Sequence, residues 1–272
     1  LKKNLLRFSF LMFASVNALT PVFATLSQSG TLCKEGDSSC TFVLLSEMNN
    51  DQQETVINNE RANLPLSPFS TFKVANSLIA LDKGIIKNAQ QSLTFDKEKY
   101  PVQPWWPKVW QLPQYNLSTA FKFSMVAIYR QLATDIGEQD MQAYIKKMHY
   151  GNQDISSGLD DFWLNKSMKI SAKEQIEFLQ SFYHNSYQFN EQAISTLKTV
   201  MLADENKNYK LYAKTGAGKV KDGSMLGWYI GFVENDKGVH FFAFNFNKDS
   251  YPEMKALRQK VAYNHLKAAG II

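Results

Sequence analysis

The sequence predicts an α+β fold: an antiparallel sheet assembled from both ends of the chain, flanked by helices, with a mainly helical second lobe. Three observations carry this. A short strand-like run, "TFVLLS" at residues 41–46, lies near the start. Residues 69–202 show mostly helical periodicity, broken at Pro- and Gly-bearing turns. After Asn208 the character changes to three runs rich in aromatic and β-branched residues, at 209–214, 227–234 and 239–246. A cleft between sheet and helical lobe is a usual place for a site.

The first residues stand apart. Lys2, Lys3 and Arg7 form a basic head, residues 8–19 are largely apolar, and Val22-Phe23-Ala24 end in small-residue fashion. This predicts a cleaved secretory leader over residues 1–24, followed by one domain over 25–272. A membrane anchor needs ~20 unbroken apolar residues, and Asn17, Thr20 and Pro21 interrupt sooner. With the leader gone, 27 basic residues face 25 acidic ones. That balance, with no basic cluster, argues against a nucleic-acid partner, and no membrane partner is expected after cleavage. The 272 residues, 44% hydrophobic and 13% aromatic, are enough for a sizeable core. The oligomeric state stays open between monomer and homodimer.

The only cysteines, Cys33 and Cys40, flank a Gly36-Asp37 turn. In an exported chain they are expected to pair as a disulfide. Two cysteines without a nearby histidine cannot fill a metal shell, so no metal is expected.

At residues 65–81, Pro65 and Pro68 keep the approach extended, and Phe72, Val74, Leu78, Ile79 and Leu81 make a buried helix. Ser70 stands in its first turn, where unpaired N–H groups and the positive helix end suit an oxyanion. Lys73, three residues on, shares its face. Burial disfavours the charged amine and makes Lys73 a candidate base. Farther on, "SAKEQIEFLQSFY" at 171–183 reads as an amphipathic helix, and Asn190 as the cap of another running to about Leu202. "NDKG" at 235–238 signals a hairpin, and Ser250 to Glu253 a capping box opening a last helix that Gly270 ends.

S-x-x-K alone says little, since Ser195-Thr196-Leu197-Lys198 matches it too. That copy lies inside a helical stretch, where the hydroxyl bonds back to a carbonyl and no free N–H groups wait. It reads as a decoy. The first copy differs by its company. Ser124-Met125-Val126 follows in a helical segment, then Tyr150-Gly151-Asn152 at a turn, then Lys214-Thr215-Gly216 at a strand end.

This ordered set resembles the penicillin-recognising serine enzymes, and most closely the class D (oxacillinase-type) β-lactamases. Similarity extends through "YRQLATDIGEQDMQAYIKKMHYGN", "FWLNKSMKISAKEQIEFLQSFY" and "GWYIGFVE", covering nearly the whole chain after the leader. The resemblance implies a β-lactamase/transpeptidase-like fold, periplasmic export and a penicillin-type β-lactam as small-molecule substrate. It also implies residue roles. Ser70 attacks the lactam carbonyl to form an acyl-enzyme, and the N–H groups of Ser70 and Ala217 hold the oxyanion. Lys73, carboxylated by carbon dioxide or bicarbonate, is the general base; no bound cofactor is needed. Trp163 holds the carbamate and Val126 is an apolar wall. Ser124 relays a proton to the leaving nitrogen. Lys214, Thr215, Gly216 and Arg258 bind the substrate and its carboxylate, and Asn152 tightens a turn.

There are departures. Ala127 stands where the family often has proline, and "PWWPKVWQLP" differs from the usual connection. Its Trp105, Trp106 and Trp110 either contact bulky substrates or pack among themselves. Two other activities share the motifs: a β-lactam sensor that stays acylated, and a cell-wall transpeptidase or carboxypeptidase, which usually carries S-x-N in the second element.

Overall fold

The computed structural model describes residues 32–49 and 51–272; the expected leader, residues 1–24, lies outside them. The chain opens with the hairpin β1 (Cys40–Met48) and β2 (Asp51–Ile57), then a single turn α1 (Asn59–Ala62). A 3₁₀ turn, Phe69–Phe72, leads directly into α2 (Lys73–Asp82). A mainly irregular stretch with the short strand pair β3 (Ser92–Leu93) and β4 (Tyr115–Asn116) follows. Helices α3 (Leu117–Lys122), α4 (Val126–Ile136), α5 (Glu138–Lys147), α6 (Ala172–Tyr183) and α7 (Glu191–Met201) fill the middle. Strands β5 (Leu202–Glu205), β6 (Tyr209–Lys219), β7 (Met225–Asn235) and β8 (Gly238–Lys248) and the helix α8 (Tyr251–Ala268) complete it.

The six-stranded sheet runs β2-β1-β8-β7-β6-β5, every neighbour antiparallel. The N-terminal hairpin therefore docks on the C-terminal strand, as the composition at both ends predicts. Period-two alternation sorts β8 between two cores. Val239, Phe241 and Ala243 join the core shared with the helical lobe; Phe242, Phe244 and Phe246 join the one under α8 with Met254, Val261 and Leu266. A strand covered on both faces reads as a continuous apolar run, which "FFAFNF" is.

Asn190 caps α7 as predicted, and Ser171 caps α6 in a reciprocal box with Glu174. At α8 only half of the expected box forms. Ser250 accepts from the Glu253 N–H, while the Glu253 carboxylate pairs with Lys248. The edge strand β2 went unread because Gln52, Gln53 and Glu54 carry little strand propensity and are exposed. Cys33 and Cys40 are disulfide-bonded, beneath α8, where the Cys33 N–H donates to His265.

Candidate active site

The Ser70 turn is fixed from several sides. Phe69 takes a left-handed conformation, φ 47°, and its N–H donates to the Trp163 carbonyl. Gln175 donates to the Thr71 hydroxyl, which donates to the Pro68 carbonyl. The Trp228 indole on β7 donates to the Ser67 carbonyl at 2.9 Å. The turn is thus clamped between sheet and helical lobe. Ser70 itself stays partly accessible, whereas Lys73 has no exposed surface.

Lys73 opens α2 and its Nζ donates to Ser70 Oγ at 3.0 Å. Burial brings its pKa down to about 7, because no water solvates the ammonium. The amine lies 4.9 Å from the Tyr129 ring centroid. Tyr129 was not singled out from the sequence. It is wholly buried and shares a hydrogen bond with Ser77.

Phe72 carries an aromatic cluster. Trp163 stacks on it at 5.1 Å, and Tyr150 and Phe162 meet it edge-on. The Trp163 indole N–H is buried and has no hydrogen-bond partner among the described residues, an open donor on this wall. Asn152 holds the neighbouring turn, accepting from the Lys169 N–H and donating to the Ser167 carbonyl.

Ser124 corrects the expectation of a helical position. It sits between α3 and α4 with φ 55°, a left-handed turn rather than a helix interior. That break turns its hydroxyl toward β6, where it accepts from Lys214 Nζ at 2.5 Å. Lys214, Thr215 and Gly216 lie inside β6 rather than at its end. β5 pairs only as far as Tyr212, so beyond it this edge of β6 has no strand neighbour among the described residues. Lys214 is buried, and its pKa is well below the usual lysine value owing first to burial, then to Lys73 and Arg258. Arg258 reaches from α8 to the Gly216 carbonyl at 3.3 Å, its Nε buried without a partner. Ala217 continues the strand, partly accessible, and Val126 opens α4, also partly accessible.

Two buried lysines and the half-buried Arg258 thus converge, and no carboxylate bonds to any of them among the described residues. Such an arrangement is costly unless an amine is neutral or an anion binds. Ser195, by contrast, donates to the Gln192 carbonyl inside α7, and Lys198 pairs with Glu234. The tryptophans of the irregular connection pack edge-on at 5.7 to 6.3 Å. Trp110 donates to the Phe123 carbonyl at 2.7 Å, next to Ser124; Trp105 remains 66% exposed. A surface cavity of about 990 Å³ lies by the β1–β2 and β7–β8 turns, lined by Glu47, His184 and Glu234. Ser70 and Lys73 do not line it, so the site is assigned by chemistry and not by size.

Among the described residues no cluster of His, Cys, Asp and Glu could hold a metal ion, and no helix is long and apolar enough to cross a membrane. The family model of the penicillin-binding protein transpeptidase domain matches residues 43–267. The chain is 38% identical to the β-lactamase OXA-48 of Klebsiella pneumoniae, over 88% of this chain and 86% of that protein. It is 34% identical to the β-lactamase OXA-10 of Pseudomonas aeruginosa, over 89% and 84%. A crystal structure of the class D β-lactamase YbXI from Nostoc superposes with a TM-score of 0.77 at 33% identity, covering 86% of this chain and 94% of that one.

Proposed function

The chain belongs to the penicillin-binding transpeptidase family and, within it, to the class D β-lactamases; from that premise we propose that it hydrolyses penicillin-type β-lactams through an acyl-enzyme on Ser70, with carboxylated Lys73 as general base. The observation that carries the reading is a wholly buried Lys73 at 3.0 Å from Ser70, with no carboxylate to keep it charged. A pKa near 7 leaves much of the amine neutral at neutral pH, and only the neutral amine can capture carbon dioxide. The open indole N–H of Trp163 suits the carbamate's oxygens. When formed, the carbamate supplies a general base beside Ser70 and turns Lys73 from a cation into an anion beside the two remaining cations, Lys214 and Arg258.

In acylation Ser70 Oγ bonds to the lactam carbonyl carbon and gives up its proton to the base carried by Lys73. The N–H groups of Ser70 and Ala217 hold the oxyanion, worth ~3–4 kcal/mol of transition-state stabilisation each. The ring C–N bond then breaks and the nitrogen takes a proton. Ser124 already accepts from Lys214, so its own O–H is free to donate to that nitrogen. Lys214 supplies positive charge once the carbamate and the substrate carboxylate offset the burial and the neighbouring cations that lower its pKa, and Thr215 and Arg258 bind the substrate carboxylate, the guanidinium as a planar fork. Gly216 lets the substrate lie close along the open edge of β6, like an added strand. Water then releases the product from Ser70. Export to the periplasm and a part in antibiotic resistance complete the reading, supported by the leader-like residues 1–24 and the disulfide.

Turnover of a chromogenic cephalosporin tests it. Repeated hydrolysis, lost after carbon dioxide is stripped and restored by bicarbonate, is expected. Stoichiometric labelling of Ser70 without turnover would mark a sensor and contradict the proposal.

A further inference from the structure

A second cavity, of about 330 Å³, lies between the connection carrying Tyr100 to Trp106 and the first turn of α4. Val126 and Ala127 line it, yet Ser70 and Lys73 do not. Two of its walls are flat and apolar, from Trp105 and Trp106. Two others are cationic, from Lys99 and Arg130. These cations share one carboxylate. Asp160 accepts from Arg130 at 3.0 Å and lies 3.8 Å from Lys99, while also accepting from the Tyr100 hydroxyl. One positive charge is left over beside the cavity.

A second observation points the same way. Trp106 is only 8% exposed, and its indole N–H is buried with no hydrogen-bond partner among the described residues. A buried donor without an acceptor is uncommon and costly, and it asks for one from a ligand. Ala127, in the first turn of an eleven-residue helix, adds the weak positive field of that terminus. The set combines excess positive charge, an unsatisfied N–H and aromatic faces in a space at the small end of ligand pockets.

We propose that this cavity is a second binding site, separate from the Ser70 cleft, for a small aromatic carboxylate. The ring lies against Trp105 and Trp106, and the carboxylate takes the charge of Lys99 and Arg130 and the Trp106 N–H. Val126 and Ala127 form its floor, so the ligand sits behind the segment that carries Ser124.

The probe is 2-naphthoate, titrated calorimetrically into the full chain with tryptophan fluorescence followed in parallel. Saturable binding is expected, with the uncharged 2-naphthamide weaker by about tenfold. Trp106→Phe, which keeps the ring but removes the N–H, is expected to weaken binding by about fivefold. Lys99→Gln, at a side chain 47% exposed, is the second variant should Trp106→Phe fold poorly, and a loss of about threefold is expected from it. Arg258→Ala, which removes an anion-binding group of the Ser70 cleft, is expected to leave the affinity intact. Absence of saturable binding overturns the proposal. So does binding that Arg258→Ala removes, or that neither Trp106→Phe nor Lys99→Gln weakens. Hydrolysis assays are separate, so failure here leaves the reading of Ser70 standing.

Discussion

Trp163 lies nearly parallel to Phe72, ring centroids 5.1 Å apart and planes 27° from alignment, with its indole N–H buried and unpaired. Phe72 directly precedes Lys73, so this stack sets one wall beside the Lys73 amine. Trp163→Phe would keep most of the stacking area and remove only the donor. We expect a drop in turnover of about tenfold or more at ambient carbon dioxide, largely recovered at high bicarbonate. Unchanged turnover at every bicarbonate level would show that the donor has no part in holding the base.

The two S-x-x-K sequences separate by geometry. Lys73→Ala removes the proposed base and should slow turnover by at least about a thousandfold, acyl-enzyme accumulating or acylation itself failing. Ser195→Ala, which loses only a bond to the Gln192 carbonyl, should keep activity. Intact-mass spectrometry after mixing with a penicillin, alongside steady-state rates, reads both. The opposite pattern would relocate the site to α7.

The pH dependence follows from burial. The Lys73 pKa is lowered from 10.5 to about 7, so the amine is charged and unreactive toward carbon dioxide below that value. Reactivation of carbon dioxide-stripped enzyme by a fixed concentration of dissolved gas should rise about tenfold per pH unit up to about 7, then level off. Stability carries the matching sign. A lowered folded-state pKa means that the unfolded chain binds more protons between about 7 and 10.5, so this group's contribution to stability rises with pH across that window. Denaturant melts of stripped enzyme, compared with Lys73→Met, isolate the slope; equal slopes would contradict the assigned burial cost.

Gly218 on β6 lets Phe69 approach. A Cβ at this position would meet Phe69 Cε1 at 2.0 Å. Phe69 already holds a left-handed backbone and directly precedes Ser70. Gly218→Ala should therefore push the aromatic ring and the nucleophile's turn together. We expect a loss of stability of about 1–3 kcal/mol and a fall in kcat exceeding any change in thermal midpoint would suggest. A fully active, equally stable variant would show that the ring yields without moving Ser70.

The sheet was legible because its strands are extreme. "FFAFNF" and "GWYIGFVE" bury both faces, and a doubly covered strand leaves few polar positions to confuse the pattern. β2 was not, since Gln52 to Glu54 pair at an edge facing water. Within the site, Ser70, Lys73 and Lys214 were readable from motif order. The left-handed Ser124 was not, because a non-glycine at positive φ leaves no signature in composition. Tyr129 was invisible for another reason: an aromatic on a core repeat looks the same whether or not an amine sits over it. The half-formed box at Ser250 shows a local motif giving way to a nearby lysine, Lys248.

The most direct test is carbon-13 NMR of the intact enzyme equilibrated with labelled bicarbonate. The account predicts one protein-bound carbamate resonance, absent from Lys73→Ala, whose intensity rises in step with turnover as bicarbonate is restored. Full-rate hydrolysis by stripped enzyme showing no such resonance would contradict it.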